Sequence, residues 1–307
     1  MAFGAFQTAQ PTAKGSGPVV QRKSPVALWL LLPGVLYLIL FFVTPLFSLI
    51  ITSFQQPVLG GFPGEYELGF RWENYIDVVT TYSSHILRSF IYASLATIFA
   101  LALGYPIAYI IGVKLRPYPL WQALALVVLI APFFISFLLR TLAWKQIFAN
   151  EGVVVGVLQF LQILAPDEYL NGTPFTVVFG LTYVFLPFMA LPIYTTLEKL
   201  DLRYIEAGND LYASPTTVFR KITFPLSLPG VISGTLLTFI PATGDYINAS
   251  RDFLGSTDTA MMGNVIEANF LVLQNFPAAA AMSLLLMGSI LILVSAYVRR
   301  SGTDDLL

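Results

Sequence analysis

The 307-residue chain has no cysteine, a single histidine and only 11% charged residues. Without cysteine it can form neither disulfides nor thiolate metal sites, and it has no thiol nucleophile. His85 alone cannot build a multi-histidine metal centre, and neither a metal ligand set nor a catalytic residue emerges from the remaining side chains. A G-x-x-x-x-G-K-[ST] phosphate loop is also missing, since Gly15 and Gly17 are followed by PVVQRKS, so nucleotide hydrolysis has no place in this chain. A formal charge of -1 offers no basic face for nucleic acid.

Apolar side chains dominate what is present. Hydrophobic residues make up 56% of the chain and the mean hydropathy is +0.75, whereas about a quarter of the residues in a soluble domain are charged. The composition describes an all-α integral membrane protein. Runs long enough to cross a bilayer, about 17 to 25 residues each, lie near 26–51, 89–113, 120–142, 173–197, 227–244 and 277–298. Six transmembrane helices follow. The fifth is interrupted by Pro229, Pro241 and Gly244 and is expected to be broken. The first run is too long for a signal-peptide core and lacks a small-residue cleavage site, so it reads as a retained span.

Sorting lysine and arginine by side orients the chain, because cytoplasmic loops carry the excess. Arg71, Arg88, Arg140, Lys145 and Arg251 fall on one side, and the other eleven of sixteen fall with the termini. Residues 1–25 therefore read as a disordered cytoplasmic tail, 26–300 as the six-span domain and 301–307 as a second cytoplasmic tail. The opposite segments, 52–88, 143–172 and 245–276, are aromatic and amphipathic, which predicts short interfacial helices.

The cytoplasmic loop 198–226 is a polar island between apolar runs. Asp201 is placed to cap a helix through Leu202, Ile205 and Leu211. Ser214 followed by Pro215 predicts a second short helix to Thr223, ending before Pro225. The pair forms a knob with Leu202, Ile205, Leu211, Val218 and Phe219 as apolar surface.

Glu206, Ala207, Ile222 and Pro225 fall on the spacing E-A-A-x-x-x-G-x(9)-I-x-L-P, so this segment resembles the cytoplasmic loop of bacterial ABC importer permeases. ENYIDVV, LGYPIAYII, PFFISFLLRTLAW, YVFLPFMALPIYTTLEKLD, FIPATGDYI and MMGNVIEANF extend the resemblance to the polyamine (spermidine/putrescine) permease branch over most of the chain after residue 25. The resemblance implies a type I ABC importer permease fold with cytoplasmic coupling helices, in a bacterial inner membrane. It implies two ATPase subunits carrying ATP and Mg, a second homologous permease subunit and an extracytoplasmic solute-binding protein as partners. Docking to the ATPase would involve Asp201, Ile205, Glu206, Ala207, Asp210 and Leu211, together with Ala213, Ser214, Phe219, Ile222 and Pro225.

Two departures bear on this loop. Gly208 replaces the second Ala, costing a helix about 1 kcal/mol. Tyr212 replaces the Gly, so it must either avoid positive φ or be held there.

Ionisable groups near membrane depth often mark a pathway. Asp245, beside Tyr246, offers a carboxylate and an aromatic face for an ammonium. Tyr183, Trp144 and Glu267 are further candidates, and each of the five serves equally well as an interfacial anchor. Sulfate, iron or phosphonate is the competing cargo within this family. An ion-coupled secondary transporter is the competing class, although the paired repeats usual there are absent.

Overall fold

The computed structural model describes residues 25–300; the expected tails lie outside the described residues, apart from Pro25, which opens the first helix. Residues 25–48 lie in one compact unit and residues 49–300 in another. α1 (Pro25–Leu38) passes through a π turn, Ile39–Val43, into α2 (Thr44–Ser53), within which the division between the units falls.

After α2 the larger unit forms a hairpin that hydropathy did not signal, β1 (Gln56–Pro57) paired antiparallel with β2 (Tyr66–Glu67). Then come α3 (Glu73–Tyr109), α4 (Pro119–Ile130), α5 (Phe137–Ile147), α6 (Val153–Phe160) and α7 (Pro174–Lys199). The chain continues through α8 (Arg203–Asp210), α9 (Pro215–Val218), α10 (Phe224–Thr243), α11 (Met262–Glu267) and α12 (Phe276–Arg300).

Among the described residues five helices are long and apolar enough to cross a membrane, and a bent pair makes a sixth if counted as one span. That pair corrects the straight span expected at 120–142. After α4 the chain tightens into a 3-10 turn, Ala131–Phe134, and α5 leaves at 95°. Pro132 removes a helical donor and Ile135 is extended at φ -105°, ψ 138°, so the α-helix cannot propagate although every side chain is apolar or small. The segment expected to be a separate interfacial helix near residue 73 is instead the first turns of α3, which bends at Tyr82 (φ -113°, ψ 16°).

The fifth span also differs from expectation. Helix runs unbroken from Pro215 to Thr243, through Pro225 and Pro229. A π turn at Phe219–Thr223, in which the Phe224 amide donates to the Phe219 carbonyl, shifts the hydrogen-bond register just where Pro225 has no N–H to give. The proline is absorbed and the helix does not stop.

α7 is the central helix, packed along both α3 and α10. Ala93, Ala96, Ala100, Gly104 and Ala108 recur at helical spacing on α3 and are buried, bringing its backbone close to Leu181, Met189 and Ile193 of α7. Close backbone approach is how helices associate in lipid, where apolar burial alone gives no preference for protein over acyl chain. The Gly230/Gly234 pair of α10 does the same against α7. A third cluster joins Val78 of α3, Met262 and Val265 of α11, and Met282 and Leu286 of α12.

This packing gives the bundle two chemically different ends. One carries the 114–119 loop and the α8–α9 pair. The other carries α11 and the 244–261 loop, tied to α3 by Arg88 Nη1 donating to the Ala260 carbonyl at 2.8 Å and by the Met262 amide donating to Ser89 Oγ at 2.7 Å.

Candidate functional site

At the first end α8 is strongly two-faced. Asp201 Oδ1 accepts from the Arg203 amide at 3.0 Å, which caps the helix as its sequence implies. Gly208 is buried, and a methyl there would sit 3.0 Å from Ile222 Cδ1 and 3.1 Å from a Val218 methyl, so glycine allows α8 to lie directly on the start of the α9–α10 helix. Ile205 is half-buried on the same face. Glu206, Ala207, Asp210 and Leu211 point outward, Leu211 being 82% exposed.

The turn after α8 settles what Tyr212 does. Its φ is +55°, its amide donates to the Asn209 carbonyl at 2.9 Å, and the Ala213 amide donates to the Gly208 carbonyl at 3.2 Å. These two bonds form the Schellman cap in which glycine is usual. Tyr212 is 99% exposed, so its side chain does not hold the conformation; the two backbone bonds do. Ser214 Oγ accepts from the Thr217 amide at 3.3 Å, with Pro215 in the first turn, starting α9 as expected.

The remaining residues expected in this loop lie elsewhere. Val218 is buried, and Phe219 turns inward onto Tyr105 and Tyr109, at centroid separations of 5.6 and 6.1 Å. Neither contributes to the knob's outer surface as expected. Ile222 packs on Gly208, and Pro225 is exposed on the first turn of α10.

At the opposite end the five pathway candidates separate into three places. Trp144 and Tyr183 meet edge to face at 5.3 Å, within an aromatic cluster with Phe148 and Phe179. Tyr246 and Glu267 line a groove of about 340 Å³ with Gly244 and Phe270.

Asp245 is in neither place. It is 8% exposed, and its carboxylate accepts from the Asn248 amide at 2.7 Å and from Asn248 Nδ2 at 3.1 Å. The expected ammonium site is thus a loop staple just beyond α10, its oxygens already engaged by the following turn. Burial pushes the carboxyl up to about 6 from 3.8, against the lowering effect of those bonds.

Because the folded value lies above the unfolded one, the folded state holds this proton more tightly. Asp245 therefore contributes stability below about pH 4 that is lost as pH rises to about 6, roughly 3 kcal/mol for two pH units. Asp245→Asn removes the titration and still folds, because Asn248 can turn its unpartnered Oδ1 towards the new amide. Melting wild type and variant at pH 4 and pH 7 checks this: the variant gains relative to wild type at the higher pH, and a constant difference contradicts the assignment.

Glu267 also lines a larger cleft of about 810 Å³, formed with Tyr82, Asp252, Asn264 and Asn269. Burial and the neighbouring Asp252 charge both raise the Glu267 pKa. The two carboxylates outnumber Arg251, the one guanidinium in the lining. Lys145 Nζ is engaged by the Asp252 carbonyl at 2.7 Å. Such a cleft suits an ammonium: carboxylates for charge and amide oxygens for hydrogen bonds. Asp252 escaped sequence reasoning because RDFLGSTD lies in a segment read for its interfacial helices, and only the fold brings it to the cleft that Glu267 lines.

Among the described residues no group of three or more His, Asp or Glu side chains could hold a metal ion. No protein-family model matches the chain. It is 35% identical over 229 residues to the spermidine/putrescine transport system permease protein PotB of Haemophilus influenzae, covering 74% of this chain and 78% of that one. With PotB of Escherichia coli K12 the identity is 34% over 269 residues, covering 86% and 94%. Its fold is similar to a chain of a bacterial transporter that imports the acidic polysaccharide alginate, at TM-score 0.64 and 15% identity over 91% of this chain and 96% of that one. A second structure of an alginate transporter, in complex with a pentasaccharide-bound periplasmic protein, matches at TM-score 0.60 and 15% identity, covering 91% and 94%. Identity of this extent over most of both chains, on a bundle with the importer fold, means that the protein belongs to the PotB family of ABC transport-system permeases.

Proposed function

We propose that this chain is the polyamine-conducting permease subunit of an ATP-driven importer in a bacterial inner membrane, with both termini cytoplasmic. Its kinship with spermidine/putrescine permeases at 34–35% identity carries the proposal, and the excess of Lys and Arg on one side supports the orientation. The subunit is itself non-catalytic. ATP and Mg belong to two ATPase subunits, which dock on the outward face of α8 around Glu206. A second permease completes the pathway, and an extracytoplasmic solute-binding protein delivers cargo to the end bearing α11.

ATP-driven closure of the ATPases displaces α8, tilts the helices and exposes the pathway alternately to either side. At the outer end the Asp252–Glu267 cleft receives the cation. A charge-assisted hydrogen bond contributes about 1.5–3 kcal/mol, so losing both carboxylates lowers the affinity of the complex for spermidine by about a hundredfold or more. The test is uptake of labelled spermidine and putrescine by the reconstituted transporter with Asp252→Asn and Glu267→Gln combined. Wild-type uptake by the assembled double variant removes the cleft from the pathway. Failure of the wild type to import either amine removes the cargo.

A further inference from the structure

A small loop at the α8 end makes a set of contacts that the docking surface does not account for. Arg116 lies in the 114–119 turn between α3 and α4, and its guanidinium reaches across to the end of α7. Nη1 donates to the Leu200 carbonyl at 2.9 Å, and Nη2 donates to the Leu197 carbonyl at 3.0 Å and to the Glu198 carbonyl. The last carbonyls of a helix lack their i+4 donors and carry its negative dipole end; Leu197 accepts only the Leu200 amide, at 3.2 Å, so a fixed cation there is favourable.

The place matters more than the energy. Leu200 is the extended residue (φ -63°, ψ 128°) where α7 ends, and Asp201 immediately begins the cap of α8. The joint between a central membrane helix and α8 is thus only a few residues long, and Arg116 holds its carbonyls on both sides of the bend. The approach is close on the α3 side too: a methyl on Gly112 would lie 3.1 Å from Leu197 Cβ.

We infer that Arg116 is a positioning residue for energy coupling: it ties the α7–α8 joint to the α3–α4 turn, so that displacement of α8 moves three membrane helices together. Without the clamp, Leu200 flexes as a hinge and α8 moves while the bundle stays behind. The inference rests on the docking role proposed for α8. It also explains why arginine stands here, since a lysine ammonium is a point charge that cannot fork across several carbonyls in a fixed plane.

The test uses the complete transporter, with both permeases, the ATPases and the binding protein, in liposomes. It measures spermidine moved per ATP hydrolysed in Arg116→Ala and Arg116→Lys complexes of verified assembly. A coupling free energy of ordinary size predicts that the ratio falls about tenfold in Arg116→Ala, with Arg116→Lys between that and wild type. A merely structural cap would change yield or melting and leave the ratio alone. If Arg116→Ala does not assemble, Arg116→Lys decides by the same ratio. A wild-type ratio in assembled Arg116→Ala, or in Arg116→Lys where that variant decides, overturns the inference. Glu206→Arg, assayed in parallel, separates the two claims: its loss of uptake alongside a wild-type Arg116→Ala ratio removes only the Arg116 role, whereas unimpaired uptake in Glu206→Arg removes the α8 docking role and the clamp with it.

Discussion

Glu206→Arg is expected to abolish solute uptake by the transporter while leaving the permease folded. Glu206 is exposed on the outward face of α8, beside Ala207 and Asp210, and none of the contacts that fasten α8 to the α9–α10 helix passes through it. Reversing a solvent-exposed charge changes folding stability by roughly half a kcal/mol or less. At a docking surface the same reversal leaves a partner's group facing a like charge or unpaired, at a cost of 2–5 kcal/mol or more. That corresponds to a loss of about thirtyfold or greater in association. Retention of the ATPase during purification and uptake of labelled spermidine are the measurements. Wild-type values for both would exclude Glu206 from the contact.

Gly234→Ala destabilises the bundle, and the sign is decided by geometry. Alanine is ordinarily the better helix residue by about 1 kcal/mol. At Gly234, however, the new methyl would lie 2.7 Å from the Met189 carbonyl oxygen and 3.1 Å from the Met189 sulfur. A methyl on Gly230 would lie 2.7 Å from the Pro192 carbonyl oxygen. A backbone oxygen of the central helix cannot rotate away, so α7 and α10 must separate along their whole contact. Overpacking of this kind costs about 1–3 kcal/mol, and Gly230→Ala combined with Gly234→Ala opens two successive turns. The comparison is Gly288→Ala in α12, where a methyl meets nothing within 4 Å and the propensity gain stands alone. Thermal unfolding of the three purified proteins separates them: Gly234→Ala melts below wild type and Gly288→Ala at or above it. Equal melting of Gly234→Ala and wild type would mean that the helices are not packed this closely.

Features decided by a few consecutive residues were legible in the chain. The apolar runs locate the spans, because crossing a bilayer demands about twenty such residues whatever surrounds them. Asp201 and Ser214–Pro215 announce helix starts, because capping joins a side chain to amides two or three residues away. The Gly230/Gly234 spacing announces a close contact, although not which helix supplies it.

Other features needed the folded chain. Hydropathy records that 120–142 is apolar but carries no direction, so the 95° turn after Pro132 is invisible to it. Pro225 resembles a helix stop until the π turn before it shows how the missing donor is accommodated. Asp245 reads as an ion-binding carboxylate, and only the path of the following loop reveals that Asn248 already occupies it.

Membrane class, span positions and the polar segment around Glu206 were therefore determined by the sequence alone, since each follows from local composition and short-range hydrogen bonding. Which carboxylates face a cleft, which are consumed in a loop, and how Arg116 comes to hold the joint between α7 and α8 were decided only by tertiary structure. Arg116 and Leu197 are eighty-one positions apart, and no local property of either residue predicts that the bundle will bring them within a hydrogen bond.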